Sequence, residues 1–150
     1  ASFGLDLELS GLENVRKKAR YLGYGARELK NRMEEIESFA GLEGKMYKPV
    51  RTYSDGMRVR LVTSTVLILS RGCIILDEGI ASADIDFTRK VEKNLQNFYS
   101  RHPMALIASH SLEFLRQSCT RVVYLRGGKI VFSGQPDDAW EKYVSDVYKF

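Results

Sequence analysis

The chain has little with which to cross a membrane or to staple itself together. No apolar run in its 150 residues approaches the roughly 20 that a membrane-spanning helix requires. Runs such as Val66 to Leu69 are bounded by polar residues on both sides. Residues 1–9 carry neither a basic n-region nor an apolar h-region, so no secretory signal is expected in them. Two cysteines, Cys73 and Cys119, are too few for a disulfide framework or a zinc cluster. A soluble chain in a reducing, cytosolic setting is therefore expected. Cys73 heads an apolar run and reads as a small core hydrophobe. Internal repeats, low-complexity tracts and Pro/Ser-rich linkers are also missing.

What is present is a normal globular composition. Charged residues make up 28% and aromatics 11%, which argues against intrinsic disorder and leaves enough apolar residues for a core. The net charge of +4 suits an anionic ligand, nucleic acid or an acidic membrane face without selecting among them. Because the basic residues are scattered, a solvated surface is the simpler account of them.

The first half reads as helical. Ser10-Gly11-Leu12-Glu13 matches a capping box, and a helix from there to about Leu22 ends near Gly23 and Gly25. Residues 26–40 place Leu29, Met33, Ile36 and Ala40 at helical spacing, with Gly41 and Gly44 after them. Tyr47 to Asp55 reads as a loop containing Pro49. Residues 54–69 are rich in β-branched side chains, which favour a strand. Sixteen residues is long for one, however, and Met57, Leu61 and Thr65 recur every four, so a helix is expected.

The second half alternates element types. Cys73 to Leu76 is an unbroken apolar run, as expected of a strand buried on both faces. Phe87, Val91, Leu95 and Phe98 mark an amphipathic helix, Met104 to Ala108 a second short buried strand, and Ser111 to Ser118 another helix. Val122 to Leu125 and Ile130 to Phe132 flank Gly127-Gly128, a hairpin signal. Asp137-Asp138 opens a last helix carrying Trp140, Tyr143, Val144 and Val147. Such alternation implies an α/β sheet with parallel strands. The composition shifts near Arg71, from an all-helical part to an α/β part.

Three places carry candidate chemistry. Asp77-Glu78 ends the first apolar run, so a buried strand delivers two carboxylates to the crevice where open α/β sheets bind ligands. One acid can help hold Mg²⁺ while its neighbour orients a water for in-line attack. Ser54-Asp55-Gly56 opens a predicted helix, whose exposed backbone donors and positive dipole end suit a phosphate. His110 follows the second apolar run, where an imidazole can donate a hydrogen bond to a phosphate oxygen. Each has a bland counterpart: a strand with two exposed acids, a plain N-cap, a satisfied polar group.

Taken in order, these elements resemble the ABC ATPase family. Tyr53-Ser54-Asp55-Gly56-Met57 is similar to the signature motif in the form seen in polysaccharide exporters, and Cys73 to Glu78 to the Walker B strand. Ala81-Ser82-Ala83-Asp84 occupies the place of the D-loop, Ser109-His110 that of the histidine switch, and Ser133-Gly134-Gln135-Pro136 resembles the closing segment. The resemblance implies a partial P-loop NTPase core with parallel strands, a helical subdomain over 1–70 and the C-terminal part of the α/β core over 71–150. It implies ATP and Mg²⁺ as ligands, with Glu78 as the catalytic carboxylate, His110 on the γ-phosphate and Asp77 in the Mg²⁺ shell, usually through water. Ser54 and Gly56 would grip ATP held by a second nucleotide-binding subunit, Asp84 would lie at that interface, and transmembrane permease subunits would be further partners. A peripheral position on the cytoplasmic face of the plasma membrane follows.

Departures from the pattern are Asp55 in place of a small residue, Ala81 in place of the D-loop serine, and Gly79 after the catalytic acid. Asp55 brings a negative charge near a triphosphate unless it points away. No Gly-x-x-x-x-Gly-Lys-[Ser/Thr] loop occurs, so the chain is expected to be a truncated domain that is inactive alone. Two other classes compete. The C-terminal half of a DNA-repair or chromosome-maintenance ATPase would enter through a long heptad coiled coil, whereas residues 5–40 offer two short helices broken by glycines. Nucleic acid is accordingly not an expected partner. A non-catalytic regulatory module fits the missing loop but not the intact Asp77, Glu78 and His110.

Overall fold

Helix α1 (Gly11–Tyr21) starts where its cap says it should. The Ser10 hydroxyl accepts from the Glu13 amide at 3.2 Å, while the Glu13 carboxylate accepts from the Ser10 amide at 2.8 Å. The computed structural model describes residues 3–77, 85–99 and 104–147. After α1 come α2 (Ala26–Ala40), a 3₁₀ turn (Val50–Thr52), α3 (Asp55–Leu69), β1 (Cys73–Asp77), α4 (Ile85–Tyr99), β2 (Met104–Ala108), α5 (Leu112–Ser118), β3 (Val122–Arg126), β4 (Lys129–Gly134) and α6 (Pro136–Val147). The chain divides into two compact units, Ala1–Leu106 and Ile107–Phe150.

In the first unit, α2 ends as expected at Gly41, whose left-handed backbone (φ 61°) lets the chain reverse without a Cβ penalty. The ammonium of Lys90 on α4 donates to the Ser38 and Phe39 carbonyls at 3.0 and 2.9 Å. A cation at the negative end of the α2 dipole is favourable, and Phe39 and Phe87 meet edge-on beside it at 5.8 Å.

Segment 54–69 is the helix its length indicates, and its β-branched residues fit because nearly every side of it is covered. Val59, Leu61, Thr63, Ser64, Thr65, Leu67 and Leu69 are all buried, so no single apolar stripe exists. The hydroxyls of Ser64 and Thr65 are satisfied by the Arg60 and Leu61 carbonyls at 2.6 and 2.7 Å. The core joins α1, α2 and α3 through Val15, Ile36, Leu42, Met46, Leu61 and Leu69.

β1 and β2 pair as a two-stranded parallel sheet. Here the expectation of strands buried on both faces fails. Ile74 and Leu76 are buried, whereas Cys73, Ile75 and Asp77 are exposed, and β2 exposes Met104 and Leu106. Burial on two faces needs cover on two faces, and among the described residues only one face of β1 receives it. Cys73 is therefore an exposed thiol rather than a core residue. The loop around Pro49 tightens into the 3₁₀ turn, which was not anticipated.

The second unit contains the antiparallel hairpin β3–β4, closed by Gly127-Gly128 with φ of 56° and 72°. Two consecutive positive φ values match the strand twist and explain both glycines. A bulge falls between Tyr124 and Leu125. Helix α6 starts one residue earlier than expected, at Pro136, because proline's fixed φ and missing N–H suit a first helical position. Its Tyr143 meets Tyr124 edge-on at 5.4 Å.

Candidate functional site

The start of α3 is built from below. Tyr53 is buried, and its phenol donates to the Lys45 carbonyl at 2.7 Å, which fixes the backbone just before the helix. Burial pushes the Tyr53 phenol above its usual pKa. The neighbouring strand-like segment is tied in by Val50 N to Leu9 O at 2.9 Å and Arg51 N to Leu7 O at 2.8 Å. Asn14, itself buried, braces that segment by accepting from the Asp6 amide at 2.8 Å and donating to the Asp6 carbonyl at 2.9 Å.

On this base Ser54 caps α3: its hydroxyl oxygen accepts from the Met57 amide at 3.2 Å. Ser54 is exposed and Gly56 half-exposed. A Cβ at Gly56 would meet nothing closer than the Ser54 oxygen at 4.0 Å. The first-turn amides have no intrahelical acceptor, so the helix presents donors and its positive dipole end to solvent. Such an end can receive an anionic oxygen, and the Ser54 hydroxyl proton adds a further donor.

Asp55 does not leave its charge loose at this end. Its carboxylate pairs with the Arg58 guanidinium at 3.0 Å. Sequence reasoning missed Arg58, although the Asp–Arg spacing of three residues on a helix is a legible signal.

Asp77 is exposed at the carboxyl end of β1, with its carboxylate available to a cation. Glu78, Gly79 and the segment containing Ala81 and Asp84 lie outside the described residues. His110 is exposed between β2 and α5, where Ser111 caps the helix by accepting from the Phe114 amide at 3.2 Å. Ser54 and Gly56 are thus brought together in the first unit, which also holds Asp77, while His110 belongs to the second. No group of three or more His, Cys, Asp or Glu able to cage a metal occurs among the described residues.

A cavity of about 240 Å³ also lies in the first unit, lined by residues including Tyr24, Glu28, Arg32 and Arg71. Arg71 stacks over the Tyr24 ring at 4.1 Å and pairs with Glu28. None of the described candidate residues, Ser54, Gly56, Asp77 and His110, lines it.

Comparison with known proteins gives a consistent picture. No family model matches the chain. A teichoic acids export ATP-binding protein, TagH, of Lactococcus lactis subsp. lactis (strain IL1403) is 33% identical over 150 residues, the whole of this chain and 32% of that protein. TagH of Staphylococcus epidermidis (strain RP62A) is 30% identical over 147 residues, 98% of this chain and 56% of that protein. The chain thus spans between a third and little over half of the curated relatives it matches. Among solved structures, an ATP-binding subunit of an ABC transporter superposes with a TM-score of 0.83 at 21% identity, covering 93% of this chain and 58% of that one. The dimeric ATP-binding cassette MJ0796, bound to ADP and Pi, superposes with a TM-score of 0.76 at 21% identity, covering 90% and 60%.

Proposed function

We propose that the chain belongs to the ATP-binding family of ABC transporters, polysaccharide-exporter type, and works as part of an exporter's nucleotide-binding subunit. That subunit couples ATP hydrolysis to export of a polysaccharide-like substrate of the teichoic acid class. Residues 1–70 are assigned as the helical subdomain carrying the signature, and 71–150 as the C-terminal part of the catalytic core. No Gly-x-x-x-x-Gly-Lys-[Ser/Thr] loop occurs within these 150 residues, so on this reading the segment alone does not turn over ATP.

The observation that carries the reading is the start of α3. A hydroxyl, the first-turn amides of Asp55 and Gly56 and a residue without a Cβ stand together at the positive end of a 15-residue helix. This is a donor set for a terminal phosphate offered from the opposite subunit. Asp77 would contribute to the Mg²⁺ shell through water, Glu78 would orient the attacking water and accept its proton, and His110 would donate to the γ-phosphate. When bound, Mg²⁺ with ATP supplies neutralisation of the charge that develops on the transferred phosphoryl group. By the resemblance, Asp84 would lie at the interface between the two subunits. MJ0796 is a dimer, and cbiO1 from Clostridium perfringens, a solved structure of similar fold, is part of the ABC transporter complex cbiONQ; these support a second copy and permease subunits as partners. No helix among the described residues is long and apolar enough to cross a membrane; the peripheral place on the cytoplasmic face is proposed from the family resemblance alone.

The test is Glu78→Gln in the full-length subunit. ATP binding and ATP-dependent dimers should persist while turnover falls by at least about a hundredfold, the usual scale of losing a positioned general base. Undiminished turnover would refute the assigned base.

A further inference from the structure

The acid at the third position of the signature sits where a small neutral residue is the family pattern, and the structure shows what accompanies it. Arg58 is nearly buried, its side chain only 15% exposed, while Asp55 is 71% exposed. Its guanidinium reaches three acceptors on three sides. Nη1 donates to the Asp55 carboxylate at 3.0 Å, Nε to the Val50 carbonyl at 3.4 Å and Nη2 to the Arg51 carbonyl at 3.4 Å. The arginine is thereby fixed to the 3₁₀ turn that precedes α3, and the carboxylate is drawn toward it.

We propose that Arg58 is a positioning residue for nucleotide: it holds and neutralises Asp55 so that the start of α3 can accept a terminal phosphate. The inference rests on the reading of Ser54 and Gly56 as phosphate contacts. Without Arg58 a full negative charge stands beside the docking amides. With Arg58 the pair is neutral, and the dipole and open amides decide the sign of the field. Lysine lacks the planar fork that meets a carboxylate and two carbonyls together, but it keeps the charge.

The experiment uses the full-length subunit carrying Glu78→Gln, and reads the ATP concentration for half-maximal dimerisation by sedimentation. Arg58→Gln should raise that concentration on the order of tenfold, the effect in water of one negative charge roughly 6 Å from a terminal phosphate of about two charges. Asp55→Ser should lower it, because the arginine is then uncompensated beside the phosphate. The double variant should return to within about threefold of the parent, since the offending charge and its neutraliser are both gone. Arg58→Lys should also stay close to the parent, which keeps the proposal testable where glutamine fails to fold. A double variant as weak as Arg58→Gln would overturn the proposal, because it would make Arg58 only a clamp on the Val50 and Arg51 carbonyls. Lysine as poor as glutamine would do the same. A parent subunit that never dimerises with ATP would instead bring down the functional reading, and the inference with it.

Discussion

Adding one methyl group at Gly11 should loosen the base on which Ser54 stands. A Cβ there would lie 2.5 Å from the Tyr53 phenol oxygen and 3.4 Å from the Met46 carbonyl and sulfur. The first distance is far inside contact, and Tyr53 is held on its other side by the Lys45 carbonyl at 2.7 Å. Gly11→Ala must therefore push the phenol off its acceptor. Overpacking of this kind costs about 1–3 kcal/mol, and a lost buried hydrogen bond about 1 kcal/mol more. The gain in helix propensity from glycine to alanine returns up to about 1 kcal/mol. The net is a loss near 2 kcal/mol, or a fall of about 8 °C in the melting midpoint for a unit of 106 residues.

Far-UV circular dichroism in urea is the assay, since the first unit holds α1 to α4. The single tryptophan, Trp140, lies in the second unit, so its fluorescence serves as an internal reference. Tyr53→Phe removes the oxygen that the new methyl meets and should recover part of the loss in combination. An equal or higher midpoint for Gly11→Ala would refute the seating of Tyr53 against Gly11.

Further outcomes are expected at the start of α1 and on the β1–β2 sheet. At the start of α1, Ser10→Ala should cost about 1 kcal/mol, read from urea midpoints. Hydrogen bonds from the Ser10 hydroxyl and then the Ser10 amide hold the Glu13 carboxyl below the usual carboxylate pKa. A depressed folded value means the contribution is complete above the ordinary carboxylate range and is lost as pH falls through the depressed value. The stability gap between the parent and Glu13→Gln should therefore close on acidification; a gap independent of pH would deny the reciprocal cap. On the β1–β2 sheet, Ile75, Met104 and Leu106 are 69%, 59% and 62% exposed, so the isolated 150-residue chain should self-associate in sedimentation velocity. Ile75→Lys should reduce that association, and a monomeric parent would contradict it.

Much of the local structure was legible because its causes are local. The capping box of α1, the Gly41 terminus of α2 and the Gly127-Gly128 turn depend on residues a few positions apart, and all three stand where spacing placed them. Helix α3 was legible by length, against propensity, and only its near-complete burial explains why β-branched residues are comfortable there. The order of Tyr53 to Met57, Cys73 to Glu78 and Ser109-His110 that carries the resemblance is a property of the chain alone, as is the N-cap of α3 that makes Ser54 and Gly56 candidates.

Tertiary structure decided what depends on neighbours distant in sequence. An apolar run states that a strand wants cover, not which faces receive it, and β1 turned out to bury Ile74 and Leu76 while exposing Cys73 and Ile75. Spacing set Asp55 and Arg58 on one helix face, but the Val50 and Arg51 carbonyls that lock the arginine come from the 3₁₀ turn packed beside it. Caps and turns are written in single short-range bonds; burial and charge compensation arise only when separate segments compete for the same space and the same water.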